Sequence, residues 1–257
     1  MYDPAAAAKS LQPIWNVNEG CALFAGPLSF NAAHKHCVPV YIAGLYDPFR
    51  LRIENEPWSV CRAAVIPAGV TYALDIRGNP LAVLYLEPSV AGVDALRSLI
   101  RGADDVAGCS VGKGNGTSLL RELYEDKSAM SWVSEAVEDL ISFAKPRADR
   151  EFDPRIIRVT RRVSHRYDDI RPIDDIARSV GLSTSRFQHL FAREVGVSYQ
   201  RYRCWHRLRA AIREVSKGAN LTSAAQATGF YDQAHFAHHF RKAFGASASP
   251  SLLQLRK

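Results

Sequence analysis

Between residues 15 and 87 the apolar positions fall in short runs: Ala22–Ala25, Val38–Leu45, Ala63–Ile66 and Leu81–Leu86. Turn-forming residues separate them, at Gly26-Pro27, Asp47-Pro48, Pro67-Ala-Gly69 and Gly78-Asn79-Pro80. Short strands at such spacing predict an antiparallel sandwich or barrel. From Val93 the pattern turns helical, over Asp94–Ile100, Leu119–Tyr124 and Trp132–Phe143. In the last segment Val133, Val137, Leu140 and Ile141 share one face. Lys145–Arg150 reads as a linker, and from Asp153 onward the pattern is helical almost throughout.

Within this helical C-terminal region the same arrangement occurs twice. Ile173, Ile176, Ala177 and Val180 share a helical face, with Asp174 and Asp175 in the first turn, where the helix dipole favours acids. Gly181 suits a left-handed helix end, Leu182 an apolar anchor and Ser183 the cap of a second helix. In that second helix Phe187, Leu190 and Phe191 point inward, leaving Thr184, Ser185, Arg186, Gln188, His189 and Arg193 outward. The order returns with Asn220 as cap, Leu221, Ala224, Ala225 and Thr228 on one face, Gly229, the anchor Phe230 and the cap Asp232. Phe236 and Phe240 then point inward, and Gln233, Ala234, His238, Arg241 and Lys242 outward. Each is the plan of a helix-turn-helix unit. Between them, Tyr199–Lys217 predicts one long helix, with Arg201, Arg203, Arg207, Arg209 and Arg213 on its polar face.

Charge supports a polyanionic partner for this region. The 257 residues carry a net +7. Residues 153–257 hold 19 Lys and Arg against 8 Asp and Glu, whereas residues 1–152 hold 14 against 18. The basic excess is thus confined to the helical end. Outward Gln, Ser, Thr and His suit base edges, and Arg and Lys suit phosphates. The expected base readers are Thr184, Ser185, Gln188, His189, Gln233, Ala234 and His238. The expected phosphate contacts are Arg186, Arg193, Arg241 and Lys242.

Other chemistry is sparse. The five cysteines, Cys21, Cys37, Cys61, Cys109 and Cys204, are scattered and form no C-x-x-C pair. Gly112-Lys-Gly-Asn-Gly116-Thr-Ser lacks the order of a phosphate loop and reads as a connector. No run of about 18 apolar residues occurs, and Met1–Leu11 lacks the apolar core of a signal peptide. A cytoplasmic protein without cofactor is the expectation.

The segments Gly181–Phe191, Gly196-Val-Ser198, Arg207–Ala211, Gly229–Phe236 and Phe240–Ser247 resemble the AraC/XylS regulators. The resemblance covers about Asp153–Leu255. It implies an all-α domain whose two recognition helices, joined by a rigid helix, enter adjacent major grooves about one turn apart. The sequence departs from the family at Ala234, where Ser is usual, and at His238, where Arg is usual. Family resemblance also implies transcriptional activation. RNA polymerase, and a second copy of the chain paired through the helices around Trp132–Phe143, are further expected partners.

His34-Lys-His36 and Ile66–Tyr72 resemble the two halves of a cupin barrel, which such regulators often carry as a sensor. The carboxylate and third histidine of a cupin metal site fall on Val40 or Tyr41 and on Tyr72, so a metal would have at most His34 and His36. His34, His36, Tyr41, Trp58 and Tyr72 are the candidates for lining an effector site. The fold expected is therefore α+β: a cupin-like antiparallel barrel over 1–90, a helical dimerisation or linker region over 91–150, and a double helix-turn-helix domain over 151–257. Two other functions fit the pattern. One is a cupin-type metal-dependent oxygenase or isomerase with a DNA-binding tail. The other is an architectural DNA binder without sequence preference.

Overall fold

A computed structural model describes residues 11–90, 92–126, 128–144, 152–167, 169, 171–253 and 255. The expected linker at 145–150 lies outside the described residues. The chain begins with nine strands: β1 (Ile14–Val17), β2 (Cys21–Pro27), β3 (Phe30–His34), β4 (Val40–Gly44), β5 (Phe49–Ile53), β6 (Ser59–Cys61), β7 (Ala63–Ile66), β8 (Tyr72–Asp75) and β9 (Pro80–Leu86). Helix α1 (Val93–Arg97) follows, then a hairpin of β10 (Ile100–Val106) and β11 (Cys109–Gly114). Helices α2 (Thr117–Glu125) and α3 (Val133–Ala144) complete the N-terminal region. The C-terminal region is helical: α4 (Pro154–His165), α5 (Ile173–Arg178), α6 (Thr184–Val195), α7 (Tyr199–Ser216), α8 (Leu221–Ala227), α9 (Gln233–Phe244) and α10 (Ala248–Leu252).

Two antiparallel sheets form the N-terminal region, seven strands in the order β1-β2-β9-β4-β7-β11-β10 and four in the order β3-β8-β5-β6. Among the described residues no ladder joins them, so the barrel expected from the sequence is open and sandwich-like. The inner strands β2, β9, β4 and β7 of the larger sheet are buried on both faces, which is why they read as unbroken apolar runs. In β9, Leu81, Val83 and Tyr85 face the other sheet, while Ala82, Leu84 and Leu86 face α1–α3. The smaller sheet has one wet face, and β5 alternates accordingly: Phe49, Leu51 and Ile53 inside, Arg50 and Arg52 outside.

Two sequence expectations change here. Residues 91–150 are not helical throughout, because the hairpin of β10 and β11 extends the larger sheet through β7. Gly112-Lys-Gly114 is in β11 rather than in a connector. Gly112 has backbone of Arg101 so near that a Cβ would lie 2.7 Å from its carbonyl oxygen. Close backbone approach, not flexibility, explains that glycine. The apolar stripe of α3, Val133, Val137, Leu140 and Ile141, is buried against the larger sheet and its helices. Those residues are spent inside the chain and unavailable to a second copy.

Candidate nucleic-acid interface

Both helix-turn-helix units form, and they share their local hydrogen bonding. In the first, α5 is followed by Gly181 with φ of +70°, and Leu182 N donates to Ala177 O at 3.0 Å. In the second, α8 is followed by Gly229 with φ of +78°, and Phe230 N donates to Ala225 O at 3.0 Å. A left-handed residue is needed at each helix end, and only glycine adopts it without cost. The caps also match. Ser183 Oγ accepts from Arg186 N at 3.4 Å, Asn220 Oδ1 from Ser223 N at 2.8 Å, and Asp232 Oδ1 from His235 N at 2.7 Å.

The recognition helices α6 and α9 are held by their aromatic faces. Phe187 and Phe191 of α6 pack on Tyr199 with ring centroids 5.4 Å away, and in α9 Phe236 packs on Phe230 at 5.4 Å and Phe244 on Trp205 at 5.8 Å. This leaves the opposite faces open. Ser185, Gln188 and His189 on α6 and Gln233, Ala234 and His238 on α9 are at least partly accessible, and Arg186, Arg193, Arg241 and Lys242 are exposed. Three expected contacts have partners within the chain. The Thr184 hydroxyl bonds the Asp174 carboxylate, Thr222 Oγ1 donates to Gln233 Oε1 at 3.0 Å, and Arg193 pairs with Glu194 at 3.1 Å. Tyr231, 86% exposed just before the cap of α9, is an accessible ring that sequence patterning does not single out. An aromatic at the mouth of a recognition helix is its only sequence signal.

The linker helix α7 is less solvated than its arginines suggest. Arg207 lies over the Phe230 ring at 4.5 Å and donates through Nε to Thr228 O at 3.0 Å. Arg209, expected on the polar face, is 4% exposed. Its partner is Glu87, which follows β9 and is 1% exposed. Glu87 also accepts from Tyr202 Oη at 2.7 Å and Trp205 Nε1 at 2.9 Å. Burial alone would raise its pKa, but the Arg209 and His206 charges and the hydrogen bonds outweigh it and hold the carboxyl at about 2. Burial also keeps His206 below the ordinary histidine range, so the principal ion pair is Glu87 with Arg209. Nothing in sequence spacing joins residues 87 and 209.

The β region also grips the end of each recognition helix. Gly196 (φ +87°) and Gly245 (φ +68°) terminate α6 and α9. Ala32 N donates to Gly245 O at 2.9 Å, and Asn31 Nδ2 donates to Phe244 O at 2.9 Å. At the other head Gly69 and Gly196 meet so closely that a Cβ on Gly69 would lie 2.3 Å from Gly196 O.

Of the expected effector residues, His34, His36 and Tyr72 come together between the sheets. His34 Nε2 is 3.2 Å from His36 Nε2, and the His34 and Tyr72 rings are 4.4 Å apart. Burial lowers the pKa of His34 to about 4 and that of His36 well below its usual value, so both rings are neutral at pH 7. Tyr85, Trp205 and Phe244 close in on His36, leaving a cavity of about 30 Å³. Tyr41 and Trp58 are elsewhere. Tyr41 is offset by one position on β4 and so faces the helices on the far side of the sheet. Trp58 lies on the outside, between Arg50 and Arg52. No group of three His, Cys, Asp or Glu side chains suited to a metal occurs among the described residues. The His34–His36 pair alone is a poor fit to a cupin metal centre.

Residues 176–251 match a helix-turn-helix domain family. The range contains both units and the helix joining them. This region of the chain is an AraC-type DNA-binding domain. No curated protein matches the chain by sequence. The whole fold is similar to that of ToxT from Vibrio cholerae. Wild-type ToxT from strain SCE256 with bound unsaturated fatty acid superposes with a TM-score of 0.60 at 14% identity, over 93% of this chain and 97% of ToxT. ToxT from strain O395 gives 0.58 at 13% identity, over 93% and 99%. The O395 protein bound to (E)-4-(8-methylnaphthalen-1-yl)but-3-enoic acid gives 0.55 at 12% identity, over 91% and 99%. The AraC-type domain thus sits in a chain whose β region and helical region are arranged as in ToxT. The chain is a DNA-binding transcription regulator. Among the described residues no helix is long and apolar enough to cross a membrane.

Proposed function

We propose that this regulator is ligand-responsive and activates transcription from the cytoplasm, reading promoter sites with two major-groove half-sites about one turn, roughly 34 Å, apart. The observation that carries it is the pair of capped recognition helices, each with an accessible polar face and each held at its far end by the β region. Ser185, Gln188, His189, Gln233 and His238 read bases, Ala234 offers a methyl contact, and Thr184 supports the first head through Asp174. Arg186, Arg193, Arg241 and Lys242 take phosphates, and Tyr231 adds a contact at the second head. Residues 1–90 with the hairpin at 100–114 serve as the sensor and 151–257 as the reader. RNA polymerase is the partner in activation, and a second copy of the chain would pair through surfaces other than the buried stripe of α3.

ToxT was seen with an unsaturated fatty acid and with an aryl butenoic acid. An apolar carboxylic acid is therefore the class of effector we propose, entering between the sheets beside His34, His36 and Tyr72. Entry there meets Phe244, the last residue of the second recognition helix. The test is binding of Gln188→Ala and His189→Ala to a selected site and to random duplex. Each is expected to lose about tenfold or more on the specific site and little on random DNA. Equal losses on both would end their assignment as base readers.

A further inference from the structure

Where the turn between β1 and β2 meets the end of α4 and the middle of α7, a cavity of about 130 Å³ remains. Its walls come from both regions of the molecule: Asn18 and Glu19 from the turn, His165 and Tyr167 from α4 and the residues after it, and Arg209 and Arg213 from α7. The acceptors around it are committed. Glu87 is taken by Tyr202, Trp205 and Arg209. Asn18 Oδ1 accepts from Gly20 N at 3.0 Å and Cys21 N at 2.8 Å, and Asn18 O accepts from Arg209. The Glu19 carboxylate lies at the rim, 76% exposed, 3.5 Å from His165 Nε2.

Apart from His206 Nε2, which faces the Glu87 carboxylate at 3.3 Å, the groups left over are donors. Arg209 Nε, Arg213 Nε and Asn18 Nδ2 are buried with no acceptor. The Arg213 residue is half-buried, and its side chain has no ion pair or hydrogen bond among the described residues. Native proteins seldom leave buried donors unmatched, and a half-buried guanidinium without a counter-ion is costlier still. Inside the exposed Glu19 carboxylate at the rim, the described residues offer these donors no uncommitted acceptor with negative charge, and the planar fork of arginine matches a carboxylate or phosphate.

We propose that this cavity binds a small oxyanion, carrying carboxylate or phosphate groups, between the β region and the linker helix. Arg213 is its principal ligand, with Asn18 Nδ2 contributing from the opposite side. The site is separate from the His34–His36 space and does not depend on it. An anion there bridges two regions of the chain, so it favours their docked arrangement and raises the melting temperature.

Calorimetric titration of the full chain with inorganic phosphate and, separately, with succinate tests this, at an ionic strength fixed with sodium chloride. At least one of the two is expected to bind one equivalent per chain, and which one identifies the source of the oxyanion. Arg213→Gln is expected to weaken binding at least tenfold, Arg213→Lys less, and Arg186→Ala, on the DNA-facing helix, not at all. Should Arg213→Gln fail to fold, Asn18→Asp decides: its carboxylate repels the anion while its Oδ1 keeps the turn. No binding of either anion overturns the proposal. So does binding that Arg186→Ala removes and Arg213→Gln leaves intact, since the anion then lies on the DNA-facing surface. Retained binding in a folded Arg213→Gln or Asn18→Asp chain overturns it as well. A chain that binds phosphate here and no DNA site would instead refute the regulator reading alone.

Discussion

At the scale of single residues the decisive contact is the carboxylate of Glu87, which ties the β region to the linker helix through Arg209, Tyr202 and Trp205. Removing one member of a buried ion pair leaves the other charge without compensation, typically at a cost of about 3–5 kcal/mol. Glu87→Gln is therefore expected to lose roughly 3 kcal/mol of stability at pH 7 in denaturant unfolding. The folded-state carboxyl sits near 2, below its ordinary value of 4.5. Its contribution is thus complete above about pH 4.5 and is lost as pH falls toward 2. The difference between wild type and Glu87→Gln should narrow over that window. A difference that stays constant from pH 7 to pH 3 would mean that Glu87 acts by shape and not by charge. No local pattern announces this contact, because its partners are more than a hundred positions apart.

Among elements, the recognition helices are anchored at both ends, by their caps at one and by the β region at the other. Gly245 and Gly181 separate the two contributions. Both have positive φ, +68° and +70°, so alanine at either carries the left-handed penalty of about 1–2 kcal/mol. A Cβ at Gly181 meets nothing within 4 Å, whereas at Gly245 it would lie 2.4 Å from Ala32 O and 2.5 Å from His34 Nδ1. Gly245→Ala is expected to destabilise clearly more than Gly181→Ala, and to make the β region easier to cleave by protease. Equal effects would show that the second head is not seated on the β region in solution. The helical elements are legible in the sequence because cap, periodic apolar face, glycine and anchor are local signals. The hairpin of β10 and β11 is not: Arg101, Asp104 and Asp105 are exposed polar residues, and β11 is rich in glycine, so neither strand shows the apolar pattern of the inner strands. Tyr41 departs from its expected place for a related reason. In a strand buried on both faces, composition cannot say which face a residue occupies, and one position changes the side.

Across the whole molecule, a two-sheet β region holds a two-headed helical region, with Phe244 of the second head closing the space around His36. The order of the two regions and the location of the reader follow from charge asymmetry and the repeated motif. The mutual arrangement of the regions does not, since it rests on Glu87, on the glycine contacts at 69, 196 and 245, and on aromatic packing between distant segments. The claim that depends on all of this is that both heads read sequence together. Selection of bound duplexes from a random DNA library by the full-length chain tests it most directly. The expected result is a recovered site with two conserved blocks about one helical turn apart. Recovery of no enriched motif, with and without added apolar carboxylic acid, would contradict it.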